Sequence, residues 1–119
     1  MKLNDYFNLN EFRCKCGCEE VSVDTRLLEV LTDVRTYFNL PIKVNSGFRC
    51  VVHNKSIHGS SKSKHLIGIA ADIVVKGLTS QDEVADYLLN KYSDTFGIGR
   101  YNGRTHIDVR EKKARWDNR

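Results

Sequence analysis

An acidic residue, Asp72, interrupts the apolar run Ile-Ala-Ala-Asp-Ile-Val-Val at residues 69–75. Burying a carboxylate costs free energy unless it is paired, hydrogen-bonded or bound to a cation, so Asp72 needs a partner. His65 precedes it by seven residues, and His106 lies in a second apolar segment, residues 105–109. Two histidines and one carboxylate suit a catalytic Zn²⁺, because three protein ligands leave a fourth position open for water. The pattern predicts zinc binding by His65, Asp72 and His106. The alternative is an unliganded Asp72 at a bulge or strand edge.

Two helices and a set of strands are predicted to position these residues. Apolar residues recur at helical spacing over residues 24–38, with Asp24 as N-cap, and a second helix is predicted over residues 80–92. The predicted strands cover residues 42–48, 70–75, 96–100 and 105–109, the last two joined by a turn at Asn102-Gly103. We expect residues 49–67 to form a long polar loop. This order predicts one domain, residues 1–119, of the α+β class, with a small, largely antiparallel sheet and flanking helices.

The motif Ser63-x-His65-x-x-Gly68-x-Ala70-x-Asp72, followed downstream by His106-Ile107-Asp108, resembles a known family. The family is that of the zinc D-Ala-D-Ala carboxypeptidases and L-Ala-D-Glu endopeptidases of bacterial cell-wall turnover, whose fold is shared by the hedgehog signalling domain. Ser46-Gly47-Phe48-Arg49 and His53-Asn54 occupy the expected upstream places. The likeness runs from about Phe12 to Trp116 and is closest to small phage-borne members.

The resemblance implies a zinc metallopeptidase that hydrolyses peptide bonds in peptidoglycan stem peptides, with His65, Asp72 and His106 as the zinc ligands. It also implies that Arg49 grips a substrate carboxylate or carbonyl, with Ser63 as a neighbouring hydrogen-bond partner. Carboxypeptidases and endopeptidases of this group share these residues, so the bond that is cut stays open. The alternative function is a zinc-containing binding module of the same fold that has lost hydrolysis, as the hedgehog relative illustrates.

One position departs from the family's pattern. Many relatives carry an acid three residues before the last zinc histidine, and that position here is Gly103. Asp108 is the substitute that we expect as general base, because strand alternation puts it on the same face as His106. Asp108 could equally orient a ligand histidine or pair with Arg110.

Positive charge is concentrated near the predicted ligands. The chain has 19 basic and 15 acidic residues, a net charge of +4 that is too small to diagnose a nucleic-acid-binding protein. Residues 41–65 hold five basic side chains and no acidic one, and residues 110–119 hold five against two. We expect this charge to draw the anionic wall towards the metal. A nucleic-acid contact through Trp116 is the weaker interpretation, because a lone Trp more often covers a core edge, and no nucleic-acid partner is expected.

Four cysteines, Cys14, Cys16, Cys18 and Cys50, allow three states. Reduced thiols are the default expectation, and disulfides or a structural zinc site are the alternatives. The C-x-C-x-C spacing differs from the C-x-x-C spacing of common closed zinc sites, so the sequence signal for zinc is weak.

The sequence shows neither an apolar run that could span a membrane nor a signal peptide. We expect a monomer that is made in the cytoplasm. As with a bacteriophage endolysin, it would reach the cell wall after phage lysis or as a virion component.

Overall fold

The computed structural model describes residues 1–119. The α-helices are α1 (Thr25–Phe38), α2 (Val51–Ser56) and α3 (Asp82–Lys91), and two 3₁₀ helices span Leu9–Phe12 and Lys64–Ile67. The strands are β1 (Ile42–Ser46), β2 (Ala70–Val75), β3 (Gly97–Tyr101), β4 (Arg104–Asp108) and β5 (Ala114–Asp117). This architecture confirms the predicted α+β class. None of the helices combines the length and apolar content that a membrane span requires.

Helix α1 forms where its apolar spacing predicts. The Asp24 side chain accepts a hydrogen bond from the backbone N–H of Arg26 at 2.8 Å, which satisfies one of the free donors at the helix start. The helix ends at Asn39 in a left-handed conformation, φ 53°, two residues before Pro41. Its inner face buries four aliphatic side chains in the core: Leu27, Val30, Leu31 and Val34. Predicted helix and observed helix therefore agree within one residue.

The five strands form one sheet in the order β1-β2-β4-β3-β5. The pairs β1–β2, β2–β4 and β4–β3 are antiparallel, and only β3–β5 is parallel. Apolar residues that alternate along the strands are fully buried and join α1 and α3 in the core: Ala71, Ile73, Val75, Ile98 and Ile107. The side chains between them project from the opposite face. That second face carries the polar residues of interest.

The prediction of a loop without helices over residues 49–67 is wrong, because α2 and the second 3₁₀ helix both lie there. Val51 and Val52 of α2 are exposed, so this short helix has no apolar periodicity to reveal it. Side chains that cap the first turn stabilise both of these short helices instead. The Cys50 Sγ accepts from the backbone N–H of His53, and the Ser63 Oγ accepts from that of His65.

The sequence also failed to predict β5. Its four residues, Ala-Arg-Trp-Asp, are at most partly buried and show no apolar alternation. Strand β5 pairs with β3 in register with Gly97, Ile98, Gly99 and Arg100. This parallel pairing depends on contacts between segments that are distant along the chain, which local patterns do not report.

Candidate metal centre

The site is built on a single row of residues that crosses the sheet. The strand register places Ser46 of β1 beside Asp72, Asp72 beside His106 of β4, His106 beside Gly99 of β3, and Gly99 beside Trp116 of β5. Residues directly opposite each other in a sheet project to the same side. The antiparallel pairing of β2 with β4 therefore brings a carboxylate and an imidazole together without any help from a loop.

His65 reaches this row from the second 3₁₀ helix. The helix ends at Gly68 with φ 73°, and a Cβ on that residue would lie 2.6 Å from the Ser22 carbonyl oxygen. Both the left-handed backbone and the close approach therefore require glycine at this turn. The turn leads the chain into β2, and His65 Nε2 lies 3.4 Å from Asp72 Oδ2.

Three potential ligand atoms converge here. One atom from each of His65, Asp72 and His106 lies within 4.8 Å of the other two. The His65 Nδ1 lies 2.7 Å from the Gly47 carbonyl oxygen, so Nδ1 carries the proton and donates a hydrogen bond to that oxygen. The lone pair of Nε2 is therefore available to a metal. His106 Nε2 is 2.8 Å from Asp108 Oδ2 and likewise donates, which leaves Nδ1 on the side of Asp72, at 3.0 Å from Oδ1. Such outer hydrogen bonds are typical of metal-binding histidines.

The electrostatics of the three side chains favour a cation. Asp72 is 8% exposed, and burial alone would raise its pKa, but its close contacts with the imidazoles of His106 and His65 hold the pKa well below its usual range. Burial lowers the pKa of His106, yet the hydrogen bonds to Asp108 and Asp72 outweigh it and raise that pKa. The donor set of two nitrogens and one carboxylate oxygen fits Zn²⁺ and leaves a coordination position for water or substrate.

Asp108 lies on the far side of His106 from Asp72. It is fully buried, and Arg110 donates to it through Nε and Nη2, each at 2.7 Å. A Cβ at Gly97 would collide with the Asp108 carboxylate, so the missing side chain makes room for this pair. Both carboxylate oxygens are engaged, and the residue does not line the cleft beside Asp72. Asp108 pairs with Arg110 and contacts His106, so we interpret it as a residue that positions His106 rather than as the general base.

A polar cleft of about 400 Å³ opens in front of the three residues. Five basic side chains and one acidic side chain, Asp72, line it; the basic ones are Arg49, Lys62, Lys64, Arg104 and Arg110. The basic segment of residues 41–65 therefore contributes three cations to the cleft. Positive potential in such a cleft attracts anionic ligands.

Arg49 is fixed in the cleft wall by neighbours on three sides. Its Nε donates to Ser46 Oγ at 3.1 Å, and its Nη1 donates to Asn54 Oδ1 at 3.4 Å. Its Nη2 lies 3.4 Å from Asp72 Oδ2. Ser63, the other residue expected to bind substrate, lines the same cleft, where its Oγ accepts from the backbone N–H of His65 at 3.2 Å. The Ser63 hydroxyl hydrogen remains available to a ligand.

Three aromatic and basic residues of the cleft were not predicted from the sequence. The Trp116 ring centroid lies 4.9 Å from that of His106, and Trp116 Nε1 donates to the Tyr101 hydroxyl at 2.8 Å. The Arg104 guanidinium lies 4.1 Å from the Tyr101 ring centroid. Trp116 was expected at a core edge, and it instead forms one wall of the site. The Asn102-Gly103 hairpin was the available signal for Tyr101 and Arg104, because these two residues flank that turn.

The sequence comparisons agree with the geometry. A protein-family model described as Peptidase M15 matches residues 5–108, which include all three converging residues and Arg49. No curated protein sequence matches the chain significantly.

Proposed function

The chain belongs to the peptidase M15 family, and from this premise we propose that it is a zinc peptidase that hydrolyses peptide bonds in the stem peptides of peptidoglycan. The observation that carries the proposal is the convergence of His65 Nε2, an Asp72 oxygen and His106 Nδ1 within 4.8 Å at the base of an open cleft. We further propose that it acts on the wall as a phage lysis enzyme or virion component.

A zinc ion held by these three residues would supply Lewis acidity, which activates water and polarises an amide carbonyl. The surrounding residues hold the two histidine rings in the orientation that metal binding requires. The Gly47 carbonyl fixes the ring of His65, and the Asp108–Arg110 pair fixes that of His106. Trp116 packs beside His106 at one edge of the site.

Arg49 is proposed as the residue that binds the substrate's carboxylate or carbonyl. A guanidinium offers a planar fork of donors that matches a carboxylate, and its contacts with Ser46 and Asn54 hold this fork in place before substrate arrives. Ser63, on the same cleft, offers a hydroxyl hydrogen bond to the substrate. The neighbouring lysines, Lys62 and Lys64, add positive potential for anionic wall polymers.

One observation favours a second candidate, a zinc-containing binding module without hydrolysis. Asp72 is the only acidic residue that lines the cleft, and Gly103, at the position where relatives carry an acid, sits in an open turn with φ 80°. General-base catalysis by a carboxylate contributes typically 10²–10⁴-fold to rate. A site without a free carboxylate would bind stem peptides through Arg49 and cleave them slowly or not at all.

Release of soluble peptide from purified peptidoglycan separates the two candidates. The zinc-loaded protein should release peptide, and a chelator or the substitution Asp72→Asn should stop the release. Asp94→Asn is the matched control, because Asp94 is exposed and outside the cleft, and this variant should remain fully active. Zinc-dependent co-sedimentation with the wall, without release of any peptide or free amino acid, would establish the binding module instead.

A further inference from the structure

Four sulfur atoms meet at a second place, separate from the cleft. Cys14, Cys16 and Cys18 come from the turn after the first 3₁₀ helix, and Cys50 comes from the start of α2. The Sγ atoms all lie within 4.8 Å of one another. We propose that these four cysteines form a tetrathiolate site that binds a second, structural Zn²⁺. This proposal goes beyond the peptidase function and stands independently of it.

The spacing between the sulfurs fits a tetrahedral metal site. The Sγ–Sγ distances are 3.5 Å for Cys14–Cys16 and 3.7 Å for both Cys14–Cys50 and Cys16–Cys50. With zinc–sulfur bonds of about 2.3 Å, the edges of a regular tetrahedron of sulfurs are about 3.8 Å long. Two disulfides would instead join the four sulfurs as two close pairs, each about 2.05 Å apart. The Sγ atoms of Cys14, Cys16 and Cys50 instead form a nearly equilateral triangle. This arrangement is expected for sulfurs that share one metal ion.

The backbone of the loop explains how a C-x-C-x-C spacing can serve such a site. Residues 15–18 form turns and bends rather than a strand, and this curvature brings the three cysteines of the loop together. Gly17, with φ 87°, bends the chain between Cys16 and Cys18, and a hydrogen bond of 3.0 Å from the Cys14 N–H to the Glu20 carbonyl closes the loop. The sequence signal for zinc was weak because this curvature is not visible in the spacing alone.

Backbone N–H groups reach two of the four sulfurs. The N–H of Cys50 points at Cys14 Sγ at 3.4 Å, and the N–H of His53 points at Cys50 Sγ at 3.3 Å. Hydrogen bonds from amides to sulfur favour the charged form that a metal requires. Four protein ligands fill the coordination sphere of zinc, so the site is closed and structural rather than catalytic.

The proposed site ties the N-terminal segment to the chain that shapes the cleft. Cys50 follows Arg49 directly, and two residues before Arg49 the Gly47 carbonyl holds the ring of His65. Phe48 N–H donates to the Phe12 carbonyl at 2.9 Å, which is the nearest backbone link between the two segments. Cys16 and Cys18 are exposed and bury little surface of their own. A metal ion would thus supply the cross-link that this polar loop lacks.

Metal counting on the purified holoprotein tests the proposal. Elemental analysis together with native mass spectrometry should find two zinc ions per chain in the unaltered protein. The double variant Cys14→Ser/Cys50→Ser should keep one, and Asp72→Ala, which removes a ligand of the other site, should also keep one. The matched control is His53→Ala, which keeps the backbone N–H of residue 53 that donates to Cys50 Sγ and should keep both zinc ions. An unaltered protein that binds no zinc, or a cysteine double variant that keeps as many zinc ions as the unaltered protein, would overturn the proposal, whatever the occupancy of the other site.

Cobalt substitution gives a readout in the unaltered protein, which does not depend on the folding of any variant. Co²⁺ bound by thiolates shows an intense sulfur-to-metal charge-transfer band in the near ultraviolet. The unaltered protein and Asp72→Ala should both show this band, whereas the cysteine double variant should lack it. Absence of the band in the unaltered protein, or two disulfides detected by thiol alkylation of the freshly purified protein, would contradict the site. Because Asp72→Ala is expected to lose peptide release and keep the band, failure of the peptidase proposal and failure of this one are distinguishable.

Discussion

His106 lies between two carboxylates that contact different nitrogens of its ring. Asp72 faces its Nδ1 across the proposed metal position, whereas Asp108 accepts from its Nε2 and is itself held by Arg110. The sequence placed both acids correctly near His106, since strand alternation is regular. It could not show which ring nitrogen faces which acid, because that depends on the packing of Asp108 over Gly97.

We therefore predict that Asp108→Asn weakens zinc binding. Loss of the negative charge behind His106 lowers the basicity of the ligand, and such outer partners typically contribute about 10–100-fold to metal affinity. Competition with a chromophoric chelator measures the effect, and Asp94→Asn should bind zinc as the unaltered protein does. If Asp108 were instead the general base, the variant would keep its zinc affinity and lose only hydrolysis.

Arg49→Lys should raise the KM for a stem peptide with a free carboxylate and leave kcat nearly unchanged. A lysine cannot keep the contacts to Ser46 and Asn54 and present a fork to the substrate at the same time. Loss of one charged hydrogen bond, about 1.5–3 kcal/mol, corresponds to a KM increase of roughly 10-fold or more. Steady-state kinetics check it, with the exposed Arg26→Lys as control. An unchanged KM would remove Arg49 from substrate binding.

At the scale of elements, the sheet register creates the site. The helix α1, the strand β2 and the β3–β4 hairpin were predictable because each has its own local pattern of apolar residues or turn chemistry. Helix α2 and strand β5 were not, because caps and long-range pairing hold them in place rather than apolar periodicity. As a result the sequence predicted the converging residues His65, Asp72 and His106 but missed the wall formed by Trp116.

The contact between β3 and β5 predicts a specific coupling. A Cβ at Gly99 would overlap the Trp116 ring, so Gly99→Ala forces that ring away from His106. Such overpacking costs about 1–3 kcal/mol in the free energy of unfolding. The cost should largely disappear in a Trp116→Ala background, and urea unfolding followed by circular dichroism measures both. Gly103→Ala is the control, because its strain arises from φ 80° in an open turn and should be the same in both backgrounds. Equal costs for Gly99→Ala with and without Trp116 would refute the contact.

At the scale of the whole molecule, the modest net charge of +4 conceals a strongly basic cleft. Five cations line the cleft around Asp72, so the cleft is basic although the three converging side chains include the negative charge of Asp72. The composition alone could not show this, because Arg104 and Arg110 join Lys62 and Lys64 only in the folded chain.

Raising the ionic strength should slow the digestion of intact wall more than that of a short neutral peptide. Salt screens exposed charges over about 8 Å at physiological ionic strength, and only the polymer is drawn in by long-range attraction. Lys62→Ala and Lys64→Ala should reduce this salt dependence, and Lys2→Ala, outside the cleft, should not. Equal salt effects on both substrates would show that the basic cleft does not steer the wall.

Mass spectrometry of wall fragments after digestion in ¹⁸O-labelled water tests the central claim most directly. Zinc-dependent hydrolysis of a stem peptide predicts one ¹⁸O atom in the new carboxylate of a defined fragment, and the fragment masses identify the bond that was cut. The label should be absent with Asp72→Asn or with a chelator. Zinc-loaded protein that binds the wall but yields no labelled fragment would contradict the assignment of this site as a peptidase.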